Sequence, residues 1–312
     1  MQYTGFGLGC GSISVANEQA AKESKAIIQA ALAQEITFLN TADFYGSGES
    51  ELGIGEALTG YNREKVYISD KFGMLMSPKG NMYGLDVHPS RVKNYLAHSL
   101  KRLKTDYIDL YQPARIDPMI PVEETIGALA DLVKEGYIKE IGLSQVDAET
   151  LRRANDVHPI ASVEMEYSLF NRSMEQTILP TARELGIDVV AFGILAHGLL
   201  SGAWTKERVA TGEMARNASY IEIFQKGHIE KNILLVEQLR VIAAEKNVSL
   251  AQLIYAWSLT KGKDIIPIIG VSKLSQFNAS ILAREIVLTH EEVERIEQTV
   301  PVAAISGRSF PN

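Results

Sequence analysis

Apolar positions along the chain follow two periods. Short runs rich in β-branched and aromatic residues alternate with longer stretches whose apolar residues recur every three or four positions. The short runs predict strands over residues 6–10, 36–40, 66–71, 106–111, 138–143, 161–166, 187–192 and 265–269. The longer stretches predict helices over 18–34, 49–58, 89–104, 121–134, 148–157, 177–185, 229–246 and 250–259, with two more near 275–284 and 290–298. Local chemistry supports these boundaries. Asn17 suits the cap of the first helix, and Pro89 suits the first turn of another. In 89–104 the apolar residues Val92, Leu96, Leu100 and Leu103 fall on one helical face. An irregular stretch over about 198–227 breaks the rhythm, and its 202–227 part reads as a substrate-covering loop.

Eight strand candidates, nearly all followed by helices, favour an α/β TIM (β/α)8 barrel over an open doubly wound sheet. Continuously apolar strands such as 265–269 fit a parallel sheet covered on both faces. No Pro/Gly-rich linker divides the chain, so residues 1–312 read as one domain. In a barrel, chemistry gathers at the C-terminal strand ends. The polar residues expected there are Asn40 through Tyr45, Lys71, Arg115, Ser144 and Gln145, Glu164 to Glu166, residues 192–198 and residues 270–273.

Composition narrows the function classes. With 31 Lys and Arg against 38 Asp and Glu, the formal charge is −7, which argues against a dedicated nucleic-acid binder. Cys10 is the only cysteine, so no internal disulfide can form. The six histidines show no metal-ligand spacing, and no metal is expected. No signal peptide is recognisable in residues 1–12, and no apolar run reaches the ~18 residues of a membrane helix. A cytoplasmic protein without membrane partners is expected.

Tyr45 and Lys71 form the sharpest chemical pair. A tyrosine becomes a usable general acid when a nearby ammonium draws its pKa down from ~10. The alternative is two unrelated polar residues at loop starts. The alternating glycines Gly5, Gly7, Gly9 and Gly11 are not a dinucleotide fingerprint, because no complete strand precedes them. They read as lining the end of the first strand. His197 is the one histidine worth testing, although a loop filler is the simpler reading.

The stretch LNTADFYGSGESELGIG (39–55) resembles the aldo-keto reductase superfamily. The resemblance continues through ISDKFG (68–73), IDLYQPARIDP (108–118), GYIKEIGLS (136–144), VEMEYSLFNR (163–172), AFGILAHGLLSG (191–202) and IIPIIGVSKLSQFNAS (265–280). It implies a nicotinamide-dependent barrel that transfers hydride to a carbonyl, with Tyr45 as the acid and Lys71 as its partner. The family often begins with a β-hairpin, which looks truncated or absent in this chain. The usual tetrad also has an aspartate where Asn40 stands and a histidine where Ala114 stands. Losing that aspartate is expected to cost Lys71 its ion-pair partner, leaving Asn40 to hydrogen-bond the ammonium.

Pyridoxal reductases within the superfamily are similar in this pattern, including Asn40, Ala114, Arg115 and Glu164. The resemblance therefore implies pyridoxal as the substrate, with Ala114 and Arg115 beside it. It implies nicotinamide contacts from Ser144, Gln145, Glu164 and Phe192. Gly193, Leu195 and Gly198 would line the pyrophosphate. Gly270, Ser272, Lys273, Gln276 and Ser280 would meet the adenosine end. Glu164 has a second reading, as a structural ion pair with an arginine. Lys273 is the cation at the 2′-phosphate, so NADPH is expected, with NADH as the alternative. Other aldehydes, ketones or sugars remain alternative substrates. A cofactor-binding sensor with weak turnover is the alternative outside enzymes. The expected partner is a small carbonyl compound, with homo-oligomer formation left open.

Overall fold

The first strand among the described residues, β1 (Gly7–Gly9), has only three residues and needs glycine to fit. A Cβ at Gly7 would lie 2.6 Å from Ile268 Cδ1 and 2.7 Å from Phe38 Cδ1. The elements that follow alternate as the hydrophobic pattern predicts. They are α1 (Glu18–Ala33), β2 (Phe38–Ala42), α2 (Glu49–Ala57), β3 (Tyr67–Phe72), a hairpin of β4 (Met74–Met76) and β5 (Met82–Leu85), and α3 (Pro89–Leu103). Then come β6 (Ile108–Pro113), α4 (Val122–Lys134), β7 (Ile138–Ser144), α5 (Ala148–Val157), β8 (Ile160–Glu166), α6 (Leu179–Leu185) and β9 (Asp188–Phe192). The chain continues through α7 (Lys206–Ala210), α8 (Ile229–Glu245), α9 (Leu250–Leu259), β10 (Ile265–Gly270), α10 (Leu274–Ile281) and α11 (His290–Thr299). This computed structural model describes residues 5–212 and 220–309.

Eight strands close into a parallel barrel in the order β1, β10, β9, β8, β7, β6, β3, β2. The (β/α)8 architecture expected from the strand count is the observed one. Helix α1 starts where Asn17 accepts a hydrogen bond from the Ala20 amide at 2.9 Å. Two strands begin two residues later than the pattern predicts. After α1, Glu35 turns left-handed (φ 61°) and the Ile36 amide bonds back to Ala31, so the ladder starts at Phe38. After α3, Lys104 does the same (φ 55°), and β6 extends to pair Gln112 with Lys71 and Pro113 with Phe72.

The β4–β5 hairpin was not among the expected elements. Its signal is the turn cluster of Pro78, Gly80 and Asn81 between two short apolar runs. The irregular stretch contains α7 and, among the described residues, a 3₁₀ turn over Glu222–Phe224, and Trp204 packs on Phe224. The rest of the expected loop, residues 213–219, lies outside the described residues, as do residues 1–4 where the hairpin expectation falls.

Alternation along the strands divides the apolar side chains into two cores. Phe38, Tyr67, Leu110, Val190, Ile266 and Ile268 form a plug inside the barrel. A larger cluster fills the space between barrel and helices. Side chains two residues further along the same strands point the same way. This places Asn40 above Phe38, Gln112 above Leu110 and Gly270 above Ile268. Lys71 sits four residues above Tyr67. The plug is the floor of a polar layer at the C-terminal face.

Candidate active site

Four polar side chains meet on this floor. Lys71 Nζ lies 3.1 Å from Glu164 Oε1 and donates to Asn40 Oδ1 at 2.8 Å. Asn40 Nδ2 donates to Glu164 Oε2 at 2.7 Å, and Gln112 Nε2 donates to the same oxygen at 2.8 Å. All four residues are buried. The expected loss of an ion-pair partner at Lys71 is not what the structure shows, because Glu164 supplies the carboxylate from β8. Its partner is a lysine rather than the arginine of the second reading. Gln112 was not singled out in the sequence, although a glutamine inside the short apolar run of β6 is a visible anomaly.

Tyr45 opens a turn in which residues 46–48 all have positive φ, swinging the chain sharply from β2 into α2. Its ring packs edge-on against Phe44 and sits with its centroid 5.4 Å from Lys71 Nζ. Gly11 of the expected glycine series lies along the other side, where a Cβ would touch the ring at 3.6 Å. Burial raises the phenol above its ordinary pKa, Lys71 pulls it down, and Glu164 pushes it up. The ammonium therefore acts in the expected direction, but desolvation is larger. For Lys71, desolvation lowers the pKa, while Glu164 first and Tyr45 second more than offset it, so the ammonium stays protonated.

Ala114 is buried directly after β6 and presents only a methyl group there. Arg115 follows it, half-buried, donating to the Ala114 carbonyl at 2.5 Å and lying 3.4 Å from Ser144 Oγ. Desolvation lowers the guanidinium's pKa, against the pull of Glu164 and Tyr45. Gln145 is left-handed (φ 52°), and its amide donates to the Glu164 carbonyl at 2.9 Å.

The remaining expected site residues lie around the ends of β9 and β10. Phe192 ends β9, half-buried. The following loop turns through Gly193 and then Ala196, His197 and Gly198, all with positive φ. Leu195 opens its 3₁₀ turn. Below the loop, Glu166 is a hub that the sequence reading named only as a strand-end residue. It lies 3.0 Å from His197 Nε2 and accepts from Asn171 Nδ2 at 2.6 Å and Ser309 Oγ at 3.1 Å. His197 is thus held against the end of β8 by Glu166. Gly270 ends β10, and Gln276 Oε1 accepts from the amides of Ser272 and Lys273, fixing that turn. Ser280 shares a buried stripe with Phe277 and Ile281, apart from the exposed Ser272 and Lys273.

These loops fit a dinucleotide. A Cβ at Gly198 or Gly270 would meet nothing within 4 Å, so backbone is open to close approach on both adjacent strand ends. Lys273 adds a positive charge beside the second. The barrel, the Tyr45–Lys71 pair and this open backbone are the arrangement expected of a nicotinamide-dependent oxidoreductase of the barrel type.

Known proteins agree. The model of the Aldo/keto reductase family matches residues 6–301, and the chain belongs to that family. It is 36% identical over 309 residues to the probable aldo-keto reductase 1 of Glycine max, covering 98% of this chain and 88% of the relative. The glycerol dehydrogenase of Gluconobacter oxydans superposes with a TM-score of 0.85 at 27% identity, over 94% of this chain and 90% of that one. The holo form of an aldo-keto reductase from Bacillus halodurans superposes at 0.78 with 28% identity, over 98% and 95% of the two chains. The protein is an oxidoreductase acting on carbonyl and alcohol groups with a nicotinamide cofactor. Among the described residues, no helix is long and apolar enough to cross a membrane.

Proposed function

We propose that this chain is an NADPH-dependent reductase of pyridoxal, or of a closely related aromatic aldehyde with a hydroxyl beside the carbonyl. Tyr45 carries the reading, because its phenol stands over the Lys71 ammonium at the mouth of the polar layer. A reduced nicotinamide, when bound, supplies the hydride for the carbonyl carbon. Tyr45 gives its proton to the carbonyl oxygen, and Lys71 stabilises the phenolate left behind. Asn40 holds the ammonium in position.

Ser144, Gln145 and Phe192 would hold the nicotinamide end of the cofactor, and Glu164 faces the same space. Gly193, Leu195 and Gly198 would take the pyrophosphate, and Gly270, Ser272, Gln276 and Ser280 the adenosine end. Lys273 would pair with the 2′-phosphate, which is why NADPH is preferred to NADH. The chain acts as one barrel domain in the cytoplasm on a small carbonyl compound. Its −7 charge supports the absence of nucleic-acid partners.

Ala114 and Arg115 support the substrate. Ala114 offers no hydrogen-bond donor to the carbonyl, and an adjacent ring hydroxyl provides one within the substrate. Arg115 offers a further donor to the oxygen of that hydroxyl. The test compares kcat/KM for pyridoxal, salicylaldehyde and benzaldehyde with NADPH and with NADH. Hydroxylated aldehydes should lead by about tenfold or more, the worth of one hydrogen bond at ~1.4 kcal/mol. Equal efficiency on benzaldehyde would overturn the substrate assignment. The likeness to a glycerol dehydrogenase supports a second reading, oxidation of a small polyol. Glycerol oxidation outpacing pyridoxal reduction would favour it.

A further inference from the structure

We infer that Glu164 is a positioning residue for Lys71. The negative charge beside the ammonium is carried at position 164, with Asn40 as the neutral clamp between the two. This rests on the reading of Tyr45 as the acid.

The geometry is specific. Both carboxylate oxygens of Glu164 face Lys71 Nζ, at 3.1 and 3.2 Å. Each side chain is 4% exposed, so water does not screen the pair. Asn40 accepts from the ammonium with Oδ1 and donates to the carboxylate with Nδ2. Of the two isosteres, only the amide can do both. Aspartate at 40 would set two carboxylates against each other at the 2.7 Å contact, and glutamine at 164 would remove the charge. The two positions therefore share one negative charge between them. Gln112 holds Glu164 Oε2 from a third side.

No other acid replaces it. Asp70 is next to Lys71 in sequence, but alternation on β3 points it out of the barrel, toward Glu51 and Asp43. Among the described residues, Glu164 is the one carboxylate within ion-pair distance of Lys71. A Glu164 turned wholly to a ligand's amide would leave a buried ammonium unpaired.

Three variants test this: Glu164→Gln, Asn40→Asp and the exchange variant carrying both. Removing a negative charge lowers the proton affinity of the Tyr45–Lys71 couple, whichever group releases the proton first. The alkaline limb of kcat for carbonyl reduction in Glu164→Gln should therefore move down by about one pH unit or more. Its kcat should fall by about tenfold or more. Asn40→Asp should move the limb the other way. The exchange variant should recover both the limb and most of kcat. An unmoved limb in Glu164→Gln, or an exchange variant no better than Glu164→Gln, overturns the inference.

Melting temperature is read in parallel. The exchange variant should melt above both single variants, even if the wild type reduces none of the carbonyls tried. That arm separates the pairing from the reductase reading. An exchange variant that melts no higher than Glu164→Gln, or fails to fold alongside it, also overturns the pairing.

Discussion

The Lys71 ammonium and the Glu164 carboxylate lie 3.1 Å apart although β3 and β8 are separated by two strands in the barrel wall. The contact crosses the barrel interior above the apolar plug. It is what gathers the ends of β2, β3, β6 and β8 into one polar layer.

Breaking this pair from the lysine side should be costly. Lys71→Met leaves Glu164 buried and uncompensated, with an expected loss of about 3–5 kcal/mol. Chemical denaturation measures it. Adding Glu164→Gln to Lys71→Met should recover much of that stability but none of the activity, because neither side chain then supports Tyr45. An unchanged denaturation midpoint in Lys71→Met would contradict the pairing.

A second carboxylate ties stability to pH. Asp43 is raised from 3.8 to about 7, first by burial and then by Glu51, and its Oδ1 has no hydrogen-bond partner. The folded protein therefore binds this proton more tightly than the unfolded chain does. The contribution is fully present below pH 3.8 and is lost as pH rises through about 7. Asp43→Asn should remove this part of the pH dependence, so its melting temperature should exceed that of the wild type at pH 8 by more than at pH 5. A constant difference across that range would contradict the raised pKa.

The helix shell makes its own demand at Gly55. A Cβ there would lie 2.6 Å from the Arg102 carbonyl oxygen and 2.9 Å from the backbone of Leu103. Both obstacles are backbone, so α2 and α3 would have to separate. Gly55→Ala should destabilise by about 1–3 kcal/mol, with catalysis by the folded fraction little changed. A variant as stable as wild type would mean that the helices yield more easily than their packing implies.

The barrel was legible because each strand is short, apolar and bracketed by an amphipathic helix. Residues 148–157 and 250–259 were expected as helices and are α5 and α9. Strand starts were less legible, since the left-handed Glu35 and Lys104 that set them carry no glycine signal. The site divides in the same way. Alternation turns Asn40 on β2 and Lys71 on β3 into the barrel, and Tyr45 follows β2 by three residues at the head of a glycine-rich turn. The direction in which Glu164 turns was not readable, because ion pairs across a barrel depend on which of its open-ended neighbours carries the opposite charge. Glu166 and Ser309 meet 143 positions apart because the segment after α11 comes back to the end of β8.

If Tyr45 donates the proton, removing its hydroxyl should stop carbonyl reduction without loosening the cofactor. The most direct measurement is NADPH oxidation by wild type and Tyr45→Phe with pyridoxal, alongside NADPH affinity from fluorescence titration. In Tyr45→Phe, kcat should fall by about 10²–10⁴-fold while cofactor affinity stays the same. Turnover of Tyr45→Phe at the wild-type rate would contradict it.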